Sequence, residues 1–406
     1  MSFEQGLSGL AAQSKNLDVI GNNVANASTY GFKSSQAVFA DVYAASLQGG
    51  GNPGQNVGIG VKTEQVAQEF SQGNISSQSN PLDMAINGGG FFRLSTNGTI
   101  SYSRNGQFQL DKNGYIINAS GDKLTGYPSD TAGNITAGGP VEIQLNLANI
   151  VPNTTAKAKA QVNLDSSSAV PSSTFSVTDP TSFNYTTSMT VYDSLGNAHT
   201  LSSYYVKTAP NAWSVKGSVD GALLPAPLGN LAFNPDGTLN AAGSTIPMPV
   251  SAPMTNGANP LSFTLDYSNS SQFGAGNAVN LLTQDGYTSG QLSGFQVGTD
   301  GTILGRYSNG QSKNLAQVAL SNFVAPNGLS PLGDNKWAQS PTSGQPLVGA
   351  PGTSSLGLLQ SSALENSNVD LTKELVNLIT AQRSYQANAQ TIKAQDTILQ
   401  TLVNGL

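Results

Sequence analysis

Large apolar residues recur every seven positions at both ends of the chain. Near the C-terminus this interval joins Leu371, Leu378, Tyr385, Ile392, Leu399 and Leu406. The positions four residues further along mix apolar and polar side chains: Leu375, Gln382, Ala389, Asp396 and Val403. The pattern predicts a coiled-coil seam with polar interruptions, on an amphipathic helix over about residues 369–404. At 1.5 Å per residue this helix is roughly 50 Å long.

The N-terminal region repeats the same interval over residues 1–26. Its seam comprises Phe3, Leu10, Leu17 and Val24, with Leu7 and Ile20 on the neighbouring edge. A 50 Å helix is longer than a small domain needs to cover its own core, so its apolar face requires a partner. The two helices can pair antiparallel within one chain, or they can form a bundle between chains. Periodicity favours neither arrangement, and both can hold together.

Turn dipeptides and alternating apolar residues fill the region between the helices. Asn-Gly occurs at 87–88, 97–98, 105–106 and 113–114, and each dipeptide predicts a tight hairpin. Apolar residues alternate between them, as at Ile100 and Tyr102, which indicates half-buried strands. The same texture returns after residue 284, with turns at 285–286, 300–301 and 309–310.

Residues 148–283 are richer in Pro, Ser and Ala, and they contain a strand pair at 190–192 and 199–201. We therefore predict a separate β domain over 148–283, inserted into a discontinuous first β domain of residues 71–147 and 284–363. Residues 1–26 and 364–406 form a terminal helical domain. Residues 27–70, with a Gly-rich run within 48–58, are expected to be an extended connector. The predicted fold class is mainly β with terminal α-helices, in which nested β domains accompany a coiled-coil-like helical domain.

Composition excludes several classes of function. Only 10% of the residues are charged, and the net charge is −6 with no basic run, which argues against nucleic acid and anionic membrane partners. No apolar stretch is long enough to span a bilayer, so no membrane insertion is expected. The first twenty residues lack the features of a cleavable signal peptide. Cysteine is absent, so stability must come from packing and assembly.

Residues able to carry out chemistry are scarce. The one histidine, His199, has no second His or Cys with which to share a metal, and we interpret it as a polar strand residue. Most Asp residues stand in turn dipeptides, which explains them without a reaction. The run Gly88-Gly89-Gly90 lacks the Lys-Ser or Lys-Thr sequel of a phosphate loop. We expect no enzyme activity, no cofactor and no metal; the output of the fold is mechanical or adhesive.

Two long terminal motifs carry a resemblance to a known family. Residues 16–33, NLDVIGNNVANASTYGFK, and residues 363–399, ALENSNVDLTKELVNLITAQRSYQANAQTIKAQDTIL, resemble the paired signatures of bacterial flagellar rod and hook proteins. Residues 81–94 and 102–127 resemble the β domain shared by that family. The motif positions that the resemblance marks are Asn16, Asp18, Gly21, Asn22, Asn23, Asn26, Gly31, Phe32, Asn368, Asp370, Gln382, Arg383 and Tyr385.

The size of the middle region is similar to that of hook-type members of the family. The resemblance implies a structural subunit that self-assembles into a curved, flexible hollow tube and transmits torque from rod to filament as a universal joint. It also implies these partners: further copies of the chain, the rod at the proximal end, a hook-associated junction protein at the distal end, and a cap scaffold and the type III export apparatus during assembly. The expected location is extracellular, in the flagellar hook, without signal cleavage.

Three alternatives stay open at this point. The resemblance also allows a distal rod protein, a straight shaft, because a long segment like the Gly-rich one within 48–58 is a feature of that relative. A secreted adhesin or carbohydrate-binding module would use aromatics such as Trp213, Trp337 or Tyr204-Tyr205, although these are expected in the core. An enzyme would require a carboxylate site that the sequence does not disclose.

Overall fold

The structure, a computed structural model, describes residues 2–42 and 58–404. It contains two long helices, α1 (Ser2–Ala25) and α2 (Leu371–Asn404), with β-strands in between, which confirms the predicted fold class. Short 3-10 helices occur at Pro180–Ser182, Ala241–Gly243 and Pro326–Gly328. By its internal contacts the chain divides into two compact units. The first contains residues 1–147, 294–306 and 312–406, and the second contains residues 148–293 and 307–311.

Local signals explain where α2 begins. The carboxylate of Asp370 accepts hydrogen bonds from the backbone N–H groups of Thr372 (2.9 Å) and Lys373 (3.2 Å), which satisfies donors that the first turn of a helix leaves free. Glu374 adds a negative charge in the first turn, where the helix dipole favours one. Its 34 residues give α2 a length of about 51 Å, as the heptad pattern predicts.

Residues 27–70 contain two paired strands and differ in this from the predicted connector. Strands β1 (Ser35–Val42) and β2 (Gly60–Gln68) pair antiparallel, from Ser35 opposite Gln68 to Val42 opposite Gly60, with a bulge at Val38 and Phe39. Phe70 packs edge-on against Phe91 and Trp337 of the first unit. The expectation of extended chain without regular structure is therefore wrong for 35–42 and 60–68. Most of the Gly-rich run within 48–58 lies outside the described residues.

The N-terminal part of the first unit contributes eight further short strands. They are β3 (Ile75–Ser77), β4 (Met84–Asn87), β5 (Phe91–Thr96), β6 (Thr99–Ser103), β7 (Gln109–Leu110), β8 (Ile116–Ile117), β9 (Lys123–Pro128) and β10 (Val141–Glu142). Phe92, Leu94, Ile116 and Leu124 are fully buried, so the core of this unit lies along β5, β8 and β9.

The second unit contains ten strands in two five-stranded sheets. They are β11 (Lys157–Asp165), β12 (Tyr185–Tyr192), β13 (Ala198–Ala209), β14 (Ala212–Val219), β15 (Ala222–Leu223), β16 (Gly229–Ala232), β17 (Met248–Ala252), β18 (Leu261–Asp266), β19 (Ser271–Phe273) and β20 (Ala278–Gln284). One sheet has the order β17-β18-β11-β19 with β20 on β11, and the other has the order β12-β13-β14-β15 with β16 on β14. Side chains from both sheets form a single hydrophobic cluster around Trp213, Tyr205 and Tyr267. The predicted strand pair is present, with Val191 opposite His199.

The C-terminal part of the chain returns to the first unit with nine strands. They are β21 (Leu292–Val297), β22 (Thr302–Tyr307), β23 (Ser312–Val318), β24 (Leu320–Asn322), β25 (Ser330–Gly333), β26 (Lys336–Ala338), β27 (Leu347–Gly349), β28 (Leu358–Ser361) and β29 (Ala363–Glu365). The largest sheet has the order β21-β22-β23-β9-β5-β6-β26-β25 and joins both chain halves, while β28 pairs with β4 and β29 with β3. The second unit continues to residue 293, beyond the predicted 283, because bridges join Asn153 to Tyr287 and Ile150 to Gly290.

The Asn-Gly turns behave in two ways. At Asn97-Gly98 both residues have positive φ (52° and 88°), and Thr96 lies opposite Thr99, so the predicted two-residue hairpin is present. Asn113-Gly114 also lies in a turn, between β7 and β8. The predictions at 87–88 and 105–106 are wrong, because β4 ends at Asn87 and pairs with β28, and the carbonyl of Gly106 accepts the N–H of Met84 instead of closing a hairpin.

Candidate assembly surface

The terminal helices α1 and α2 pack against each other within one chain, and glycines set their separation. A Cβ on Gly6 would lie 3.0 Å from the Ile392 side chain, and a Cβ on Gly9 would lie 3.0 Å from the Asn388 side chain. The pair is antiparallel, because the later residue on α1 meets the earlier residue on α2. Small residues at these two positions allow the two backbones to approach closely.

One face of α2, here called the inner face, turns toward α1 and is buried or half-buried. It comprises Leu378, Ala381, Tyr385, Asn388, Ile392 and Gln395, at alternating intervals of three and four. The predicted seam residues Leu378, Tyr385 and Ile392 belong to it. Its second row follows them by three residues, however, and not by the predicted four. Of the predicted second-row residues, Leu375, Gln382 and Asp396 are therefore exposed, whereas Ala389 is half-buried.

The remaining seam residues divide by position. On α1, Ile20 is buried and Leu10, Leu17 and Val24 are half-buried, whereas Phe3 and Leu7 are exposed. On α2, Leu371 and Leu399 are exposed. The side chain of Val403 lies outside the described residues, as does Leu406. The sequence pattern thus locates both helices, but its predicted seam includes both residues that are buried between the helices and residues that are exposed.

A second row of residues on α2, here called the outer stripe, faces away from α1. It comprises Val376, Ile379, Arg383, Ala387, Ala394 and Ile398, at helical intervals of three, four and seven, and all are exposed. Val376 is 58% exposed, Ile379 51% and Ile398 64%. A heptad interval that starts from the leucines of α2 does not reveal this stripe. Its signal is a row of apolar and small residues at helical spacing around one arginine.

Several motif residues tie α1 to the ribbon β1–β2. The Asn23 side chain is buried; its amide nitrogen donates to the carbonyl of Ser35 (2.8 Å), and its oxygen accepts the N–H of Ser35 (2.9 Å). Asn368, three residues before α2, makes the matching link, because its oxygen accepts the N–H of Ser34 (2.7 Å) and its nitrogen donates to the carbonyl of Glu69 (2.7 Å). Side-chain amides therefore fix the ribbon to the ends of both helices.

The backbone conformation at position 31 requires glycine. Its φ is +70°, its N–H donates to the carbonyl of Glu365 (2.8 Å), and a Cβ would overlap the backbone of Arg104 and Asn105. The neighbouring Phe32 is buried. This close approach brings the segment after α1 against the strand before α2.

A buried charge cluster lies at the same place. The Lys33 ammonium donates to Glu365 Oε1 (2.6 Å), and the Arg104 guanidinium donates to Glu365 Oε2 (3.0 Å), with Lys33 and Glu365 fully buried. Burial lowers the pKa of Lys33 and of Arg104, and the Glu365 carboxylate opposes both shifts. Removing Glu365 would leave two buried cations unpaired, at a cost of about 3–5 kcal/mol.

Sequence analysis did not single out Lys33, Arg104 or Glu365. Lys33 and Glu365 lie inside the quoted motifs, each directly after an apolar residue, in a chain that has few charges. That context was an available signal. The cluster holds the helices to the β part of the first unit.

The other motif residues serve the helices locally or remain exposed. Asn26 donates to the carbonyl of Asn22 (2.9 Å), and Asn16 donates to Gln13 (3.5 Å). A Cβ on Gly21 would meet nothing within 4 Å. The side chains of Asp18, Asn22, Gln382 and Arg383 are exposed, and none of the four hydrogen-bonds to another side chain or backbone group within the described chain. The fold of one chain therefore does not account for these four.

A groove, here called the helix groove, opens between α1, α2 and β1, with a volume of about 430 Å³. Val19, Ile20, Ala37 and Ala381 are its buried apolar residues, and Glu69, Lys373 and Glu374 are its charged ones. The Oε2 atom of Glu374 is buried and has no hydrogen-bond partner among the described residues. A carboxylate oxygen in this position is costly unless a donor reaches it.

Within residues 2–42 and 58–404, the charged side chains of the two helices form no ion pair. Every ion pair among the described residues lies outside α1 and α2. The helices carry four acidic and four basic side chains: Glu4, Asp18, Glu374, Asp396, Lys15, Lys373, Arg383 and Lys393. They are therefore electrically balanced, with both signs available for contacts outside the chain.

The residues weighed for chemistry have structural roles in the second unit or lie in a core. His199 lies between two carboxylates, with Nδ1 2.6 Å from Asp220 and Nε2 3.2 Å from Asp193, and these contacts raise its pKa. No group of three His, Asp or Glu among the described residues is arranged to hold a metal ion. Trp213, Trp337 and Tyr205 are buried, as expected for core residues, whereas Tyr204 is half-buried against Phe175 and Phe183. In residues 2–42 and 58–404, no helix is long and apolar enough to cross a membrane.

Models of flagellar axial proteins match the chain in four stretches. They are described as Flagella basal body rod protein (residues 3–33), Flagellar hook protein FlgE/F/G D1 domain (85–164), Flagellar basal body protein FlaE D2 domain (163–287) and Flagellar basal body rod FlgEFG protein C-terminal (360–405). The first of these stretches covers α1 from residue 3 onward, and the last covers α2.

Known proteins match over the full length. Flagellar hook protein FlgE of Escherichia coli (strain K12) is 46% identical over 411 residues, covering all of both chains. Flagellar hook protein FlgE of Salmonella typhimurium is also 46% identical over 413 residues, and that of Borreliella burgdorferi is 30% identical over 438 residues, covering 99% of this chain and 98% of the relative. The crystal structure of Helicobacter pylori flagellar hook protein FlgE2 shares the fold, with a TM-score of 0.53 and 14% identity, over 72% of this chain and 99% of that one.

Proposed function

Because the chain belongs to the flagellar hook protein family and is a structural subunit of the hook, we propose that its copies polymerise through the terminal helices into a curved hollow tube. In this account α1 and α2 form the inner wall of the tube. The tube transmits torque from rod to filament as a universal joint.

The exposure of the outer stripe is the observation that supports this proposal. The inner face of α2 already packs against α1, so pairing within the chain does not cover Val376, Ile379 and Ile398. Burying each of these against a neighbour is worth on the order of 1 kcal/mol, and the contact repeats for every subunit added. Assembly thus supplies the apolar contacts that one chain leaves open.

The composition supports a joint that bends. The chain as a whole has few charged residues, at 10%. Contacts between polar, uncharged surfaces lack the strong directional ion pairs that would hold one geometry. We propose that such contacts between the β parts of neighbouring copies are remade as the tube rotates, while the helical wall keeps its packing.

The partners and route of export follow as further proposals from family membership. The tube would join the rod at its proximal end and a hook-associated junction protein at its distal end, and it would grow beneath a cap scaffold. Subunits would leave through the type III export apparatus without signal cleavage. The small, uncharged side chains along the outer stripe, such as Ala387 and Ala394, are compatible with helices that pack only after export.

Electron microscopy of basal bodies from the source bacterium lacking this chain tests the assignment. We expect complete rods that end without a curved extension. Truncated rods would move the chain to the distal rod, and intact flagella would contradict the family-based function.

A substitution on the outer stripe separates assembly from folding. Ile379→Asp is expected to abolish hook tubes while the isolated chain keeps its helix content and its resistance to protease, because Ile379 lies on the outer stripe with 51% of its surface exposed. Leu378→Asp, one residue away on the inner face, is the matched variant and should disturb the helix pair itself. Normal tubes from Ile379→Asp subunits would rule out the outer stripe as a contact between copies.

A further inference from the structure

We propose that the helix groove of one copy receives the outer stripe of the next copy, with Arg383 of the incoming copy pairing with the Glu374 carboxylate. This inference rests on the proposed function and names the contact that joins successive subunits. It accounts for two features of the described residues: the buried Oε2 atom of Glu374 has no hydrogen-bond donor, and the exposed Arg383 has no acceptor.

The charge of the groove favours a cation. Glu374 and Glu69 both line it, against the single cation Lys373. Glu374 is half-buried, with its Oε2 atom shielded from water, so an ion pair formed at this carboxylate is stronger than one on an open surface. Val19, Ile20 and Ala381 provide an apolar floor beside the carboxylate.

Arg383 is the cation best placed to fill this site. Lys373 already lines the groove, and Lys15 and Lys393 lie off the outer stripe. Arg383 stands in the middle of the stripe, between Ile379 and Ala387, so apolar and small side chains accompany it into any contact. A planar guanidinium can also donate two parallel hydrogen bonds to one carboxylate.

The geometry of α2 excludes the pair within one chain and favours a chain of copies. Glu374 and Arg383 are nine residues apart, which places them about 13.5 Å apart along the axis and on opposite faces of the helix. An interface that joins opposite faces of the same subunit is heterologous. Such interfaces produce open helical polymers, whereas a contact of one face with itself would close a dimer.

Cross-linking of paired cysteines in assembled hooks tests the contact directly, because the chain has no cysteine of its own. Chains carrying Glu374→Cys and Arg383→Cys replace the natural chain in the source bacterium, and isolated hooks are treated with a short bismaleimide. We expect a ladder of covalent multimers on a denaturing gel, since each copy offers both groups. The Glu374→Cys and Lys393→Cys pair is the matched control and should give no ladder.

The outcomes separate this inference from the proposed function. Hooks without a ladder would overturn the Glu374–Arg383 contact and leave the hook assignment intact. Covalent dimers from Arg383→Cys alone, as abundant as products of the pair, would show a symmetric contact and overturn it too. Absence of any tube from the unmodified chain would instead remove the proposed function.

Charge reversal provides a second test if the cysteine chain does not assemble. Arg383→Glu or Glu374→Arg alone should eliminate hooks and motility, and the two together should restore them. Circular dichroism of the isolated chains checks that the helices are retained. Failure of the double variant to restore any hooks, with helices intact, would overturn the pairing.

Discussion

At the residue scale, Gly31 shows how a motif position is explained by a close approach and not by chemistry. Its left-handed φ brings the chain after α1 onto the carbonyl of Glu365, beside the buried Lys33–Glu365–Arg104 cluster. Gly21, a motif glycine in α1, has no such constraint, because a Cβ at this position would meet nothing within 4 Å. The family motif therefore combines residues needed by the fold with residues that the fold does not explain.

Alanine at these two glycines should have opposite effects on stability. Gly31→Ala is expected to lower the free energy of unfolding of the full chain by roughly 3 kcal/mol or more, from left-handed strain plus backbone overlap. Gly21→Ala should raise it by about 0.5–1 kcal/mol, because alanine is the better helix residue. Urea unfolding of the monomer, followed by tryptophan fluorescence, measures both. Equal effects of the two variants would contradict the close packing described at Gly31.

His199 should make the stability of the second unit depend on pH. The hydrogen bond to Asp220 raises the pKa of His199, burial opposes this, and Asp193 adds to the rise. Burial opposes ionisation of Asp193, but hydrogen bonds from Asn197, Asn256 and His199 lower its pKa overall. A raised histidine pKa contributes stability that is complete below the unfolded value of about 6.5 and is lost as pH rises through the folded value.

Hydrogen exchange of the full chain measures this effect. Protection of β12 and β13 should fall as pH is raised from about 6 to 9, after correction for intrinsic exchange rates. In His199→Gln that fall should be absent, and protection at pH 6 should be lower by about 1 kcal/mol. An identical pH profile in both chains would show that protonation of His199 is not linked to folding.

At the element scale, α2 has two working faces. Its inner face packs on α1 over Gly6 and Gly9, and its outer stripe stays uncovered. A heptad interval read from sequence predicts that each helix exists and how long it is. It cannot distinguish a row that faces a partner in the same chain from one that faces a second chain, since both rows are apolar at the same spacing. For this reason Leu375 and Leu378 were assigned to one seam although they point to different surroundings.

Enlarging Gly9 tests the close approach of the helices. Gly9→Leu should separate α1 from α2, since even a Cβ at this position lies 3.0 Å from Asn388, and the cost of such overpacking is about 1–3 kcal/mol. Ala11→Leu, on the exposed side of α1, is the matched control and should be neutral. Protease sensitivity of the N-terminal helix in the isolated chain reports the difference. Equal sensitivity would show that the helices are not in close packing there.

At the scale of the whole molecule, local signals predicted the order of the parts better than their pairing. The change of composition near residue 148 and the turn at Asn97-Gly98 are local, and the structure has a unit boundary and a hairpin there. The pairing of β24 with β5 and of β29 with β3 joins residues more than 200 positions apart, which no turn dipeptide can encode. The sequence does not reveal the ribbon β1–β2, because the glycines between its strands predict irregular chain on either side.

Helical reconstruction of hooks from the source bacterium by electron cryomicroscopy tests the central claim most directly. We predict that α1 and α2 line the central channel, and that the outer stripe of each α2 lies in the helix groove of a neighbouring copy. A reconstruction in which Ile379 and Arg383 face open solvent, or in which β sheets line the channel, would contradict assembly through the terminal helices.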